Sequence, residues 1–255
     1  MTVPESTVDR WKYYDVIHAD QAFWNPLSEA KVAEIIDLLR LPAGARMLDI
    51  ASGRGEFLLR TVERWGGSGI GVDASPRCID GAREAAARRG IADTVEFVQS
   101  DGAAFEARAE SFDAVSCIGA SWIWGGYRGT LEALTRWTKP GGLILSGEPF
   151  WKREPSPEHL EATGYGHDLF GTHHGNVLAG EEAGLRFLHT IVSNEDDWDH
   201  YEGLHCYSAD RYAREHPEDP EATAIVERSR REFDHYLRWG REELGWAVYM
   251  FRKPL

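Results

Sequence analysis

From Arg46 to Glu148, short apolar runs of strand length alternate with helix-length segments, and that rhythm leaves few folds open. Arg46 to Ala51 reads as a buried strand, followed by a glycine-bearing turn and a helix carrying Leu58, Leu59, Val62 and Trp65. Gly69 to Asp73 is a second strand. It feeds a helix with Ser75 as N-cap, Pro76 in the first turn and Gly90 just past the end. Thr94 to Gln99 and Phe112 to Ile118 are further strands, and a helix runs around Thr130 to Trp137. Pro140-Gly141-Gly142 then turns into a strand from Leu143 to Glu148. Strands separated by helix-length segments pair in parallel, because a hairpin cannot join them. Leu185 to Val192 and Trp246 to Phe251 supply two more strands, so the expected fold is α/β, a doubly wound, mostly parallel, seven-stranded sheet with helical cap elements.

The flanks break the rhythm. Residues 1–27 are aromatic and irregular, with WKYY at 11–14, His18 and FWNP at 23–26, and are expected to form a lid. A helix opened by Ser28 carries Val32, Ile35, Ile36 and Leu39 on one face and is stopped by Pro42 and Gly44. Residues 149–184, rich in Pro, Gly and His, read as a long loop plus a short helix. The charge-dense stretch 194–243 carries Ala222, Val226, Phe233 and Leu237 at helical spacing and is expected to cap a single domain, 1–255.

Composition narrows the function. Forty-two acidic against 28 basic side chains give a formal net charge of −14, which argues against binding a phosphate backbone. Cys78, Cys117 and Cys206 form no CxxC pair, the N-terminus shows no secretory leader, and no apolar run is long enough to span a bilayer. A cytoplasmic protein with a small-molecule substrate, and neither nucleic acid nor membrane as partner, is expected; oligomeric state is not readable. Ten tryptophans invite an aromatic-lined pocket.

The segment MLDIASGRGEF, Met47 to Phe57, is the most informative one. Small residues let the backbone approach a ligand, and a helix N-terminus presents free N–H groups. A nicotinamide or flavin fingerprint needs a third small residue where this chain has Leu58. With Asp49 ahead of the turn, the segment instead resembles motif I of class I S-adenosylmethionine-dependent methyltransferases, Ala51 standing for the first glycine of the pattern. Further positions support the resemblance: Gly71-Val72-Asp73, Ser100-Asp101-Gly102-Ala103, Phe112 to Gly119, and KPGGLILSGEP from Lys139 to Pro149. CIGASWIWGGYRG (117–129), GEPFWKREP (147–155), EDDWDHYE (195–202), His18 and Asn25-Pro26 resemble the bacterial YjhP-type group of the UbiE-like methyltransferases.

The resemblance implies a Rossmann-like methyltransferase fold with S-adenosylmethionine as cofactor. Asp49, Ala51, Ser52 and Gly53 would line the donor site, Asp73 and Ala74 its ribose, Asp101, Gly102 and Ala103 its adenine, and Cys117 the methionine part. Its acceptor, with O or N as the methylated atom, would lie beyond the ends of strands four and five. There Trp122 and Trp124 would form an aromatic box, Tyr14 and His18 would fold over it, and Trp198, His200 and Tyr201 would approach from the cap. Glu148, a strand-end carboxylate, is the candidate general base. His167, His173, His174 and Asp168 lack the spacing of a metal motif, so no metal is expected. The rivals are a nicotinamide oxidoreductase, against which Leu58 stands, a DNA-amine methyltransferase, disfavoured by Cys117-Ile-Gly-Ala120, and a donor-binding regulatory module without turnover.

Overall fold

A computed structural model describes residues 8–255; the first seven residues of the expected lid lie outside the described residues. Seven strands form one sheet in the order β3-β2-β1-β4-β5-β7-β6. They are β1 (Arg46–Ile50), β2 (Ser68–Asp73), β3 (Val95–Gln99), β4 (Phe112–Ile118), β5 (Thr138–Trp151), β6 (Arg186–Val192) and β7 (Leu244–Arg252). β7 runs antiparallel to both β5 and β6, and the remaining pairs are parallel. The expected Rossmann-like methyltransferase fold is thus the observed one.

Period-two alternation splits the sheet's side chains between two cores. Met47 joins Leu143, Leu145 and Trp246 on the face covered by α2 (Glu29–Leu39), α3 (Glu56–Trp65) and α4 (Pro76–Arg89). Leu48 and Ile50 join Ile144, Phe150 and Tyr249 on the face covered by α5 (Tyr127–Trp137) and α7 (His173–Glu182). β1 is therefore buried on both faces, which is why its central residues read as one apolar run.

The structure corrects several expected elements. Pro140-Gly141-Gly142 is not a turn before a strand but a bulge inside β5. Phe112 pairs with Thr138 and Ala114 with Leu143, so the extra residues loop out while the strand continues to Trp151. The stretch after it holds two helices, α6 (Pro157–Thr163) and α7, rather than one. The N-terminal segment is not irregular throughout: α1 (Arg10–Ile17) is capped by Asp9, whose side chain accepts from Lys12 N–H at 2.9 Å. Its buried face of Tyr13, Val16 and Ile17 packs with Ala209 of α8 (Glu195–Glu215) and Ile225 of α9 (Ala222–His235) in a third core. The buried residues of α9 are Ala222, Ile225 and Ser229; of the expected stripe Ala222 is among them and Val226 packs against the third core, whereas Leu237 is exposed. No helix of the described residues is long and apolar enough to cross a membrane.

α8, 21 residues long, was hidden by its charge, yet its start is encoded locally. Asn194 accepts from Asp197 N–H at 2.9 Å while the Asp197 carboxylate accepts from Asn194 N–H at 2.8 Å, a reciprocal capping box. Asp197 also ion-pairs with Lys31 of α2, so the same cap ties α8 to the core. Replacing Asn194 with Ala is expected to lower stability by about 0.5–2 kcal/mol. Calorimetry checks this, and an unchanged melting temperature would show that α8 is held by packing alone.

Candidate active site

The strand order brings the ends of β3, β2, β1 and β4 side by side, with the reversal of direction in strand order between β1 and β4. Beyond β1 the backbone turns through Ala51, Gly53 and Gly55, all at positive φ. Alanine in the left-handed region costs about 1–2 kcal/mol, so this turn is held by what surrounds it. At Gly55 a Cβ would lie 2.5 Å from Phe97, so α3 starts beside β3 only without a side chain there. No side chain caps α3, which leaves its first N–H groups facing the cleft.

Asp73 joins the two neighbouring elements. One carboxylate oxygen accepts from Gly53 N–H and the other from Ser75 N–H, both at 2.8 Å. Burial pushes its pKa up, against the pull of those backbone bonds. Asp49, 3% exposed, accepts from the Ser116 hydroxyl at 2.6 Å across the β1–β4 step. Burial pushes it to about 7. Asp101 is exposed and accepts from Ala103 N–H at 2.9 Å, rounding the loop after β3. Gly102 presses that loop onto the end of β1: a Cβ there would meet Ile50 at 2.7 Å and Ile123 at 3.2 Å. Ala74 is exposed at the mouth of the α4 start. Cys117 is buried on the α5 face, and burial raises its thiol pKa.

The expected aromatic wall is not where the sequence reading put it. Ser121–Trp124 is a single 3₁₀ turn, and its tight winding sends successive side chains in different directions. Trp122 is 66% exposed and Trp124 packs edge-on against Trp137 at 6.2 Å, so Ile123 is the member of the trio that reaches the loop after β3. By strand alternation Glu148 shares the α5 face with Ile144 and Phe150, and its charge is felt by Tyr127 and Tyr249. It is 2% exposed, its Oε2 has no partner, and burial pushes it to about 7 against the pull of Ser121. Glu148 is bonded to Ser121 at the start of the turn that carries Trp122 and Trp124, while Trp122 itself faces solvent.

What covers that turn is the segment after α1. A cleft lined by Phe23, Trp24, Asn25, Asp49, Ser52 and Arg54 runs between the two. A second cleft, lined by Gln21, Phe23, Asn25, His200, Tyr201 and Leu204, continues from it under α8. His18 anchors the junction. Its Nδ1–H donates to the Tyr14 carbonyl at 2.8 Å, which leaves Nε2 to accept from the Tyr201 hydroxyl at 3.1 Å. The ring stacks on Trp24 at 4.4 Å, and burial beside His205 lowers its pKa to about 3, so it is neutral. Tyr14 contributes that carbonyl, and its own ring packs edge-on against Tyr13. Phe23, Trp24 and Arg54 are the cleft residues that sequence reasoning missed; the FWNP run flanking His18 was the available signal.

The remaining histidines lie elsewhere. His173 Nδ1 meets the Tyr249 hydroxyl at 2.9 Å, while His167 meets Asp168 and Glu154 at 3.1 and 2.6 Å. With His174 and Asp168 they line a separate cleft beyond the end of β5.

Comparison with known proteins matches this geometry. Residues 47–142 match the methyltransferase-domain family. The chain is 31% identical over 240 residues to the uncharacterised protein YjhP of Escherichia coli, covering 93% of this chain and 96% of that one. The crystal structure of YjhP superimposes with a TM-score of 0.87, covering 94% of this chain and 98% of the other at 30% identity. A Geobacter sulfurreducens S-adenosylmethionine-dependent methyltransferase, solved with S-adenosylhomocysteine, matches at TM-score 0.88 and 28% identity over 97% and 99% of the chains. A Thiobacillus denitrificans one, solved with the same ligand, matches at TM-score 0.87 and 31% identity over 96% and 98%.

Glu148 carries a pH signature. Its folded pKa of about 7 exceeds that of an unfolded glutamate. Between about pH 4.5 and 7 the folded state keeps a proton that the unfolded chain has released, so this group's cost grows as pH rises. Glu148→Gln is expected to gain stability relative to the parent across that window, by up to about 3 kcal/mol. Urea unfolding at pH 4.5 and 7.5 measures it; a difference that does not change with pH would mean that Glu148 is ionised and paired.

Proposed function

Because the chain belongs to the S-adenosylmethionine-dependent methyltransferases, which use S-adenosylmethionine as methyl donor, we propose that it methylates an oxygen or nitrogen of a small molecule. The observation that carries this reading is the continuity of the two clefts. Phe23, Asn25 and Leu27 line both, so an acceptor seated against α8 would adjoin the glycine turn.

The residues at the strand ends fit the donor. Asp73 accepts from the backbone of Gly53, Ser75 and Ala74, and its remaining acceptor capacity would take a ribose hydroxyl. Ala74 adjoins it, Asp101 with Gly102 and Ala103 would border the adenine, and Ala51, Ser52 and Gly53 would face the methionine part. Ser52 Oγ is buried without a partner, as expected of a ligand-facing hydroxyl. Asp49 and Cys117 would form the floor. Bound there, the donor supplies an already activated methyl group.

The chain's own contribution is then mainly positioning and exclusion of water. The aromatic lining falls to Phe23, Trp24 and Tyr201. His18 cannot serve as a free base, since its Nε2 lone pair already accepts from Tyr201; it orients that phenol toward the second cleft. The segment through residue 27 acts as the lid and 194–243 as the cap. Gln21–Tyr201, Asp20–Ser208 and Asp20–Arg211 fasten one to the other. Three free thiols suit a reducing, cytoplasmic setting.

A screen of small-molecule pools for donor-dependent release of S-adenosylhomocysteine tests the reading, with turnover expected from a fraction of low molecular mass; turnover only with macromolecular fractions would contradict it. S-adenosylhomocysteine is expected to raise the melting temperature and NADH to leave it unchanged. Asp73→Ala should cost about 2–4 kcal/mol of donor affinity, because buried hydroxyls lose charge-assisted bonds. Unchanged affinity on titration calorimetry would remove Asp73 from the ribose site.

A further inference from the structure

One carboxylate of α8 has no lysine or arginine to answer it among the described residues. The Glu202 side chain is 16% exposed, and the group within ion-pairing distance is His205 Nδ1, at 3.5 Å. The neighbouring acids are already matched: Glu232 accepts from Tyr13 and Arg228, and Asp199 from Tyr236 and Arg241. His205 is itself buried. Its Nε2 meets no partner, and its ring stands edge-on to His18 and Tyr201. Three phenols from separate parts of the chain gather nearby. The charge of Glu202 is felt at Tyr201 and at Tyr165, in the loop after α6, and both are coupled to Tyr14 of α1. Burial raises the pKa of Tyr165 and Tyr201, yet Tyr165 is 39% exposed and Tyr201 only half-buried. Groups that lie deep and still keep accessible surface line a concavity. The Tyr201 hydroxyl is taken by His18, whereas those of Tyr14 and Tyr165 make no hydrogen bond among the described residues. Phenol faces are electron-rich, and a sheltered carboxylate without a partner is costly, so together they suit a ligand cation.

We infer that the acceptor is an amine whose ammonium is held by Glu202 between the rings of Tyr14, Tyr165 and Tyr201, an assignment that deepens the acceptor reading above and rests on it. The carboxylate supplies the charge, the rings supply the walls, and His205 Nε2 offers an acceptor to a further N–H. An ammonium has no lone pair with which to attack a methyl group. This nitrogen is therefore the handle, and the methylated atom is another nitrogen or oxygen of the same molecule. Tyr201 links the two parts of the site, because its ring lines the second cleft and its neighbour on α8 is Glu202. The formal net charge of −14 also favours the approach of a cation over that of an anion.

Titration calorimetry on the protein saturated with S-adenosylhomocysteine tests this with three probes of similar shape. At neutral pH 2-phenylethylamine is a cation, 2-phenylethanol is uncharged and phenylacetate is an anion. The amine is expected to bind about 10-fold more tightly than the alcohol, with the anion weakest. Glu202→Gln should lose that preference and bind the alcohol as the parent does, which also shows that the variant is folded. Tyr165→Leu keeps the carboxylate but removes one ring, and should lose about 3- to 5-fold for the amine with little change for the alcohol. An amine bound no more tightly than the alcohol, a preference for phenylacetate, or an amine preference that survives in Glu202→Gln would overturn the assignment. So would a protein that binds S-adenosylhomocysteine and none of the probes. Failure of S-adenosylhomocysteine itself to bind would instead fault the donor site, and the probes titrated without it still decide the role of Glu202.

Discussion

The cleft at the strand ends depends on one carboxylate placed where two loops must be held at once. Asp73 accepts a backbone N–H from the glycine turn after β1 and another from the start of α4, each at 2.8 Å. That bridge adds to the backbone bonds Ser52 N–H to Val72 O and Gly55 N–H to Ser52 O, which together hold a turn containing a left-handed alanine. One strand over, Asp49 is locked to Ser116 across the β1–β4 step.

The second constraint is the fastening of the N-terminal segment to α8. Asp20 accepts from the Ser208 hydroxyl and pairs with Arg211, both near 2.8–2.9 Å, and Gln21 donates to the Tyr201 carbonyl. These are polar contacts between elements far apart in sequence, laid over the small third core of α1, α8 and α9. A roof held by polar bonds and a modest apolar core can open at lower cost than the sheet beneath it. That difference in stability is what access to a cleft with a closed top requires.

Much of the sheet was legible because its central strands are buried on both faces and punctuated by glycine, so periodicity and turn chemistry agreed. Positions 49, 73 and 101 could be placed at strand ends from those runs alone. The aromatic wall was misjudged for a physical reason. Sequence adjacency to the end of β4 says nothing about side-chain direction in a 3₁₀ turn, and there Trp122 points outward while Trp124 turns to Trp137. Glu148 was legible as a carboxylate near the end of β5 with a raised pKa, which burial pushes to about 7; the face its side chain takes, that of α5, follows only from the strand's alternation. α1 and α8 escaped notice because charged and aromatic residues blur their apolar stripes, and their burial comes from each other. Arg54 read as a filler between glycines. Only the packing of Trp24 over the turn shows it to be enclosed.

The central claim is that the donor lies between the glycine turn and the segment of residues 20–27. Amide hydrogen exchange with and without S-adenosylhomocysteine tests it most directly. The account expects protection to rise at Ala51–Gly55, at the loop after β3 and across residues 20–27, with α8 following more weakly. Protection confined to the cleft beyond β5, around Trp151 and His173, or an N-terminal segment untouched by the ligand, would contradict it.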